Sequence, residues 1–250
     1  MKIYDTVLLG TGFASLGFAV ARGNCLIIEE RENCDNAFSL PLRGFEKSEH
    51  LPATAVAKAL EKTLYDLGVI ENGKMNPPAL ECGLCEHIVR SGVDVLIRTR
   101  VISVTHDGEI YRLRIINGGG ISTVLARQIL DTGATGTPIS LTALFMTTSP
   151  ASDLPIVKAM FPTATVAPAF YSDRYALTIP FADGDSPELV SERIYSTWTS
   201  VEHTATLMYV APIATIAPNA DAPAVSDWRF DDPVAACDVG ASLAYEGGAL

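Results

Sequence analysis

The alternation of apolar and polar positions divides the chain into two unlike parts. Residues 3–9 (IYDTVLL) and 25–28 (CLII) are short, dense apolar runs of the kind a strand buried on both faces carries. Between them, 13–22 (FASLGFAVAR) fit a short helix. Residues 31–50 are polar and mixed, with Pro41 and Gly44, and read as a long loop. In 53–67, Leu60, Leu64 and Leu67 fall on one side at helical spacing. After a turn-rich connector at 68–78, a second such helix spans 79–90 and stops at Ser91-Gly92. The runs 93–104 and 110–116, on either side of His106-Asp107-Gly108, predict a pair of strands joined by a tight turn. After the glycines at 118–120 another strand leads through 124–131 into a small-residue turn at 131–136.

From 138 to 225 the texture changes to Ala, Thr and Pro, with strand-like pieces at 164–171, 174–181 and 205–216 and an amphipathic helix near 187–198. The final stretch, 231–250, is small-residue rich and glycine-punctuated. This order predicts an α/β fold with a parallel sheet. Residues 1–137 and 226–250 would form a Rossmann-like nucleotide-binding domain, and 138–225 a smaller, mostly β substrate or cap region.

Composition narrows the function. The 250 residues are 48 % apolar and 19 % charged, ordinary for a globular chain, and the formal charge of −11 argues against a nucleic-acid partner. Lys2 followed by apolar residues has the look of a signal peptide, but Asp5 interrupts the run and Gly10, Thr11, Gly12 and Ser15 break it. No apolar segment reaches the roughly 18 residues a membrane span needs. The expectation is a soluble, cytoplasmic protein with no membrane partner. Five cysteines (25, 34, 82, 85 and 237), odd in number and scattered, are not a secreted disulfide framework.

Cys82-Gly-Leu-Cys85 has the spacing of half a zinc site. The pattern supplies no further ligands, and the four histidines (His50, His87, His106 and His203) show no ligand spacing, so no metal is expected. On a helix with Leu84 and Ile88, those cysteines read as small apolar residues. No nucleophile elbow and no phosphate-binding lysine loop occurs.

The strongest chemical signal is 7–30, VLLGTGFASLGFAVARGNCLIIEE. Strand, glycine turn and helix form the context in which G-x-G-x-x-small binds a dinucleotide. Gly10 allows the tight turn, Gly12 lets a diphosphate approach the backbone, and Ser15 is the small third residue. The first amides of the helix face the diphosphate. Glu29, closing the second strand, is placed to accept from ribose hydroxyls. It stands several residues nearer to Gly10 than is usual, and a deletion of about one helical turn keeps the helix face in phase.

Here the sequence resembles the FAD-dependent oxidoreductases with an N-terminal glycine fingerprint, in particular flavin monooxygenases and halogenase-like relatives. Three further pieces carry the likeness. "GVDVLIRTRVISV" is similar to their strand passing the adenine, "ARQILDTGATG" to their turn at 131–133 or 134–136, and "CDVGASLAYEGGAL" to their C-terminal flavin segment. "RYALTIPFADG" (174–184) resembles a substrate-domain strand of the same family. The resemblance implies non-covalent FAD. Gly10, Gly12, Phe13, Ala14, Ser15, Glu29, Glu30 and Val101 would hold the ADP half, with Thr132 and Gly133 in the turn. Asp238, Gly240, Ala241 and Ser242, with Gly247-Gly248, would sit beside the flavin half.

The family's Gly-Asp pair reads Cys237-Asp238, and its diphosphate-binding arginine falls near Asn76. The family continues a helix behind the flavin; here that helix is absent, supplied by a partner chain, or lost with a truncated sequence. His50, with Arg43, Glu46 and Lys47, is a candidate for contacting substrate, against a solvated loop. Tyr171, Tyr175, Trp198 and Trp228 are open between a flat substrate pocket and core packing. The Cys82/Cys85 pair has a second reading as a thiol–disulfide partner of the flavin. No residue is singled out as catalytic. Three functions stay open: an FAD oxidoreductase acting on a small molecule, an NAD(P)-dependent enzyme, and a non-catalytic nucleotide-binding subunit or maturation partner.

Overall fold

A computed structural model describes residues 2–133 and 135–246. Strand β1 (Ile3–Leu9), helix α1 (Phe13–Arg22) and strand β2 (Cys25–Ile28) lie where the apolar runs place them. Helix α2 (Ala55–Asp66) begins at Thr54, whose hydroxyl accepts from the Ala57 amide at 3.2 Å. Two short strands, β3 (Ile70–Glu71) and β4 (Lys74–Met75), pair across Asn72-Gly73. Both turn residues have positive φ (51° and 74°), as the hairpin turn matched to strand twist requires. Helix α3 (Pro77–Ser91) starts on a proline, whose missing N–H costs nothing in a first turn, and ends at left-handed Gly92.

The apolar run 93–104 is not one strand. It divides into β5 (Asp94–Leu96) and β6 (Arg100–Asp107), which lie at opposite edges of the same sheet. Arg98, at φ 49°, breaks the extended backbone, and the Arg98 and Thr99 amides donate to the carbonyls of Arg31 and Glu29 at 3.0 and 2.9 Å. A β-branched run carries no mark of that break. Strands β7 (Ile110–Asn117) and β8 (Gly120–Asp131) complete the sheet, in the order β5-β2-β1-β8-β7-β6.

The first four strands in that order are mutually parallel, while β7 and β6 run antiparallel, so the sheet is mixed rather than purely parallel. Along β1 and β2 alternate residues serve two cores. Leu8 and Ile27 face a helix-side cluster with Phe13, Leu16, Leu60 and Leu80, and Val7, Leu26 and Ile28 face a second cluster with Leu113 and Ile115.

A second, antiparallel sheet is built on β9 (Gly136–Met146), which pairs with β11 (Arg174–Pro180), β12 (Thr206–Val210) and β13 (Thr215–Pro218); β10 (Thr165–Pro168) extends it beyond β11. Helix α4 (Pro150–Met160) was not legible in the pattern, because Pro155 stands inside it. Helix α5 (Pro187–Ser200) covers this sheet with Val190, Ile194 and Trp198. The loop after β2 joins the two cores, since Phe38 belongs to the first and Leu42 to the second.

The C-terminal segment departs from its expected glycine turns. A 3-10 turn (Asp227–Arg229) leads into helix α6 (Pro233–Tyr245), whose N-terminal amides at Val234 and Ala235 donate to Asp232 at 2.7 and 3.2 Å. Its small residues allow a close crossing with α1. A Cβ on Gly17 would collide with the Cys237 carbonyl, and one on Gly240 with the Ala14 carbonyl. Among the described residues no helix is long and apolar enough to cross a membrane.

Candidate functional site

The C-terminal ends of β1, β2 and β8 meet at Gly10. Its amide donates to Ile28 O at 2.8 Å, and the Thr132 hydroxyl donates to Leu9 O and Gly10 O at 2.9 and 3.0 Å. Gly10 has φ 110°, and a Cβ there would stand 2.5 Å from Thr132 Oγ1, so both backbone and space demand glycine. Beyond this junction opens a cleft of about 650 Å³.

Eight of the residues expected to hold FAD line it: Gly10, Gly12, Ser15, Glu29, Glu30, Val101, Thr132 and Gly133. Of the two turn registers, 131–133 therefore faces the cleft. In the other, Ala134 lies outside the described residues, and Gly136 opens β9.

Glu29 is buried, and three donors within the chain hold its carboxylate. The Thr11 amide and hydroxyl donate to Oε2 at 2.9 Å each, and the Arg31 amide donates to Oε1 at 2.8 Å. A carboxylate has about four acceptor positions, so capacity for one more donor remains. Ser15 has a local task as well: its hydroxyl donates to Gly12 O at 3.0 Å inside the first turn of α1.

Phe13 and Ala14 are buried, and their amides are directed at Asp227, which sequence reading had not selected. Both donate to its carboxylate at 2.7 Å. A Cβ on Gly12 would collide with the same carboxylate, so the close approach that makes Gly12 a glycine is that of Asp227. Burial, chiefly, raises the Asp227 pKa to about 7; Asp35 nearby adds to the rise, while the two amides and Arg43 oppose it. Asp227 and Trp228 both line the cleft, along with Arg31, Asn36 and Thr99.

Asp238, Gly240, Ala241 and Ser242 are not part of the cleft lining; they lie on α6. Asp238 instead anchors the approach to α2, accepting from the Ala53 and Thr54 amides at 2.9 and 2.8 Å and lying 3.0 Å from His50 Nε2. Burial pushes its carboxyl upward, but the Ala53 and Thr54 bonds outweigh that and hold it below the usual carboxylate range. Gly247-Gly248 lie outside the described residues. The spacing of Cys237-Asp238 imitates a Gly-Asp pair, whereas the acid at the head of α1 arrives eleven residues earlier, unannounced by any glycine.

The loop candidates also have structural partners. The Arg43 guanidinium donates to Phe230 O at 2.8 Å and lies 5.3 Å from the Trp228 ring, while Lys47 pairs with Glu61 at 2.9 Å. None of Arg43, Glu46, Lys47 and His50 lines the cleft. Of the aromatic candidates only Trp228 does; Trp198 and Tyr175 pack on Phe145, with ring centroids 5.3 and 5.5 Å away.

No family model and no curated protein matches the chain in sequence. Solved structures do match in three dimensions. The p-nitrophenol 4-monooxygenase of Pseudomonas putida superposes with a TM-score of 0.54 at 12 % identity, over 84 % of this chain and 67 % of that one. Aklavinone-11 hydroxylase, solved with FAD and aklavinone, gives 0.57 at 15 %, over 98 % and 62 %. A flavoprotein/dehydrogenase from Cytophaga hutchinsonii gives 0.54 at 14 %, over 98 % and 78 %.

The chain shares their fold.

It spans less than two thirds of the aklavinone hydroxylase, and identities this low make the likeness one of architecture.

Proposed function

We propose that the chain is a flavin-dependent oxidoreductase of the monooxygenase and hydroxylase type, binding FAD non-covalently and acting on a small molecule. One observation carries the reading: the Gly10–Gly12 turn between β1 and α1 opens onto a cleft that is also lined by Glu29, which follows the adjacent parallel strand. A glycine turn and a strand-ending acid at the carboxyl ends of parallel strands support the reading of a Rossmann-like dinucleotide site. The fold shared with a hydroxylase solved with FAD supports the choice of dinucleotide.

The residues present fit the adenosine end well. Glu29 keeps one acceptor position for a ribose hydroxyl, and Val101 and Thr99 offer an apolar wall with a hydroxyl beside it. Gly10, Thr11 and Gly133 line the cleft as small residues, their amides donating to Ile28 O, Glu29 and Asp131. Trp228 also lines the cleft, with the Arg43 guanidinium 5.3 Å from its ring. Bound flavin supplies the redox chemistry; the chain binds, orients and shields it. Asp227 lines the cleft with a pKa of about 7, which lets it hold or release a proton near neutral pH.

A second reading, a non-catalytic subunit or maturation partner, is favoured by Asp227 itself, because its carboxylate already occupies the α1 amides that a diphosphate would use. Titration of the purified chain with FAD, followed by flavin fluorescence, tests the proposal. Stoichiometric quenching with FAD, not reversed by AMP added in comparable amount, supports it. Failure to bind FAD while binding AMP or NAD overturns it. Stoichiometric binding without turnover on any reductant would favour the second reading.

A further inference from the structure

Cys34, in the loop after β2, and Glu81 and Cys85, one helical turn apart on α3, bring two sulfurs and a carboxylate oxygen within 4.8 Å of one another. Sequence spacing hides this trio, since its first member is far from the other two. Glu81 is held in place by the loop after β2: the Cys34 main-chain amide donates to Oε1 at 2.9 Å and Asn33 Nδ2 donates to Oε2 at 3.1 Å. Such supporting bonds orient a metal-ligating carboxylate and leave each oxygen a free lone pair. Cys34 is buried and Cys85 half-buried, both as free thiols, so the donors are shielded yet reachable. Cys82, the other half of the C-x-x-C spacing, is exposed and stands outside the trio.

We propose that Cys34, Glu81 and Cys85 form a site for a single thiophilic divalent cation such as zinc, with solvent in the fourth position. Two thiolates and a carboxylate are a borderline-soft donor set, which favours Zn²⁺ over Mg²⁺ or Ca²⁺. The ion ties the start of the loop carrying Asn36 and Ala37, part of the cleft wall, to α3. Both thiols enter as S–H and leave as thiolate ligands, so each ion bound releases two protons to solvent. Affinity therefore rises with pH.

The test uses the full chain, stripped with a chelator, kept reduced and titrated with Co²⁺ as the spectroscopic probe, then with Zn²⁺ in competition. The expected result is one equivalent of Co²⁺ with thiolate-to-cobalt charge transfer in the near ultraviolet, displaced by Zn²⁺. Cys85→Ser lowers affinity by more than about tenfold, and Cys82→Ser leaves it unchanged. Cys34→Ser is scored only after circular dichroism shows the fold retained; half-buried Cys85 keeps the test decisive otherwise. Absence of charge transfer in the parent chain overturns the site, as does a spectrum that survives Cys85→Ser or vanishes with Cys82→Ser.

Discussion

The Asp227 carboxylate rests against Gly12 and accepts the first amides of α1, from Phe13 and Ala14, at 2.7 Å each. An acid at a helix N-terminus is favoured by the dipole, but this one is buried and its pKa is raised from 3.8 to about 7. The folded state therefore holds the proton more tightly than the unfolded chain does. Its contribution to stability is complete below about pH 4 and is lost as pH rises towards and through 7. Urea midpoints taken from pH 5 to pH 8 should fall, and Asp227→Asn should flatten that fall while costing about 1 kcal/mol at pH 5 for one lost hydrogen bond.

The same carboxylate competes with any diphosphate for those amides. Protonation removes its charge, so FAD should bind more tightly at pH 6 than at pH 8. Fluorescence titrations at the two pH values check this, and equal affinities would exclude competition at α1.

Glu29→Gln keeps the shape of the side chain but removes the charge that holds Thr11, Arg31 and, on the proposed function, a ribose hydroxyl. Hydrogen bonds to charged groups contribute about 1.5–3 kcal/mol, so FAD affinity should drop tenfold or more. The same titration reads it.

Asp238→Ala should separate structure from ligand binding. Asp238 holds the Ala53 and Thr54 amides outside the cleft, so its loss should lower stability by about 1–3 kcal/mol and leave FAD affinity within about twofold of the parent. Because its carboxyl is held below the usual range, its stabilisation is present above about pH 4 and lost as pH falls further. Acid unfolding of parent and variant should converge.

Gly240→Ala reverses the sign expected from helix propensity. Alanine in a helix is normally better than glycine by up to about 1 kcal/mol. Here the added methyl would meet the Ala14 carbonyl, a backbone atom that cannot turn aside. A loss of about 1–3 kcal/mol in urea unfolding is expected, as for overpacked cores.

The sequence by itself determined β1, α1, β2, α2 and α3, because their apolar residues recur at the period of the element that buries them. It also marked the cleft residues carried by the first two strands, from Gly10 to Glu30, since a glycine turn and a strand-ending acid are local signals. Tertiary structure alone decided which distant groups complete them. Asp227 reaches the head of α1 only because the 3-10 turn and α6 fold back across that helix, a contact that leaves no periodic trace in either segment. Cys34 meets Cys85 for the same reason, and β5 parts from β6 at a single backbone torsion. Local spacing encodes elements; a site assembled from several elements is set by how they pack.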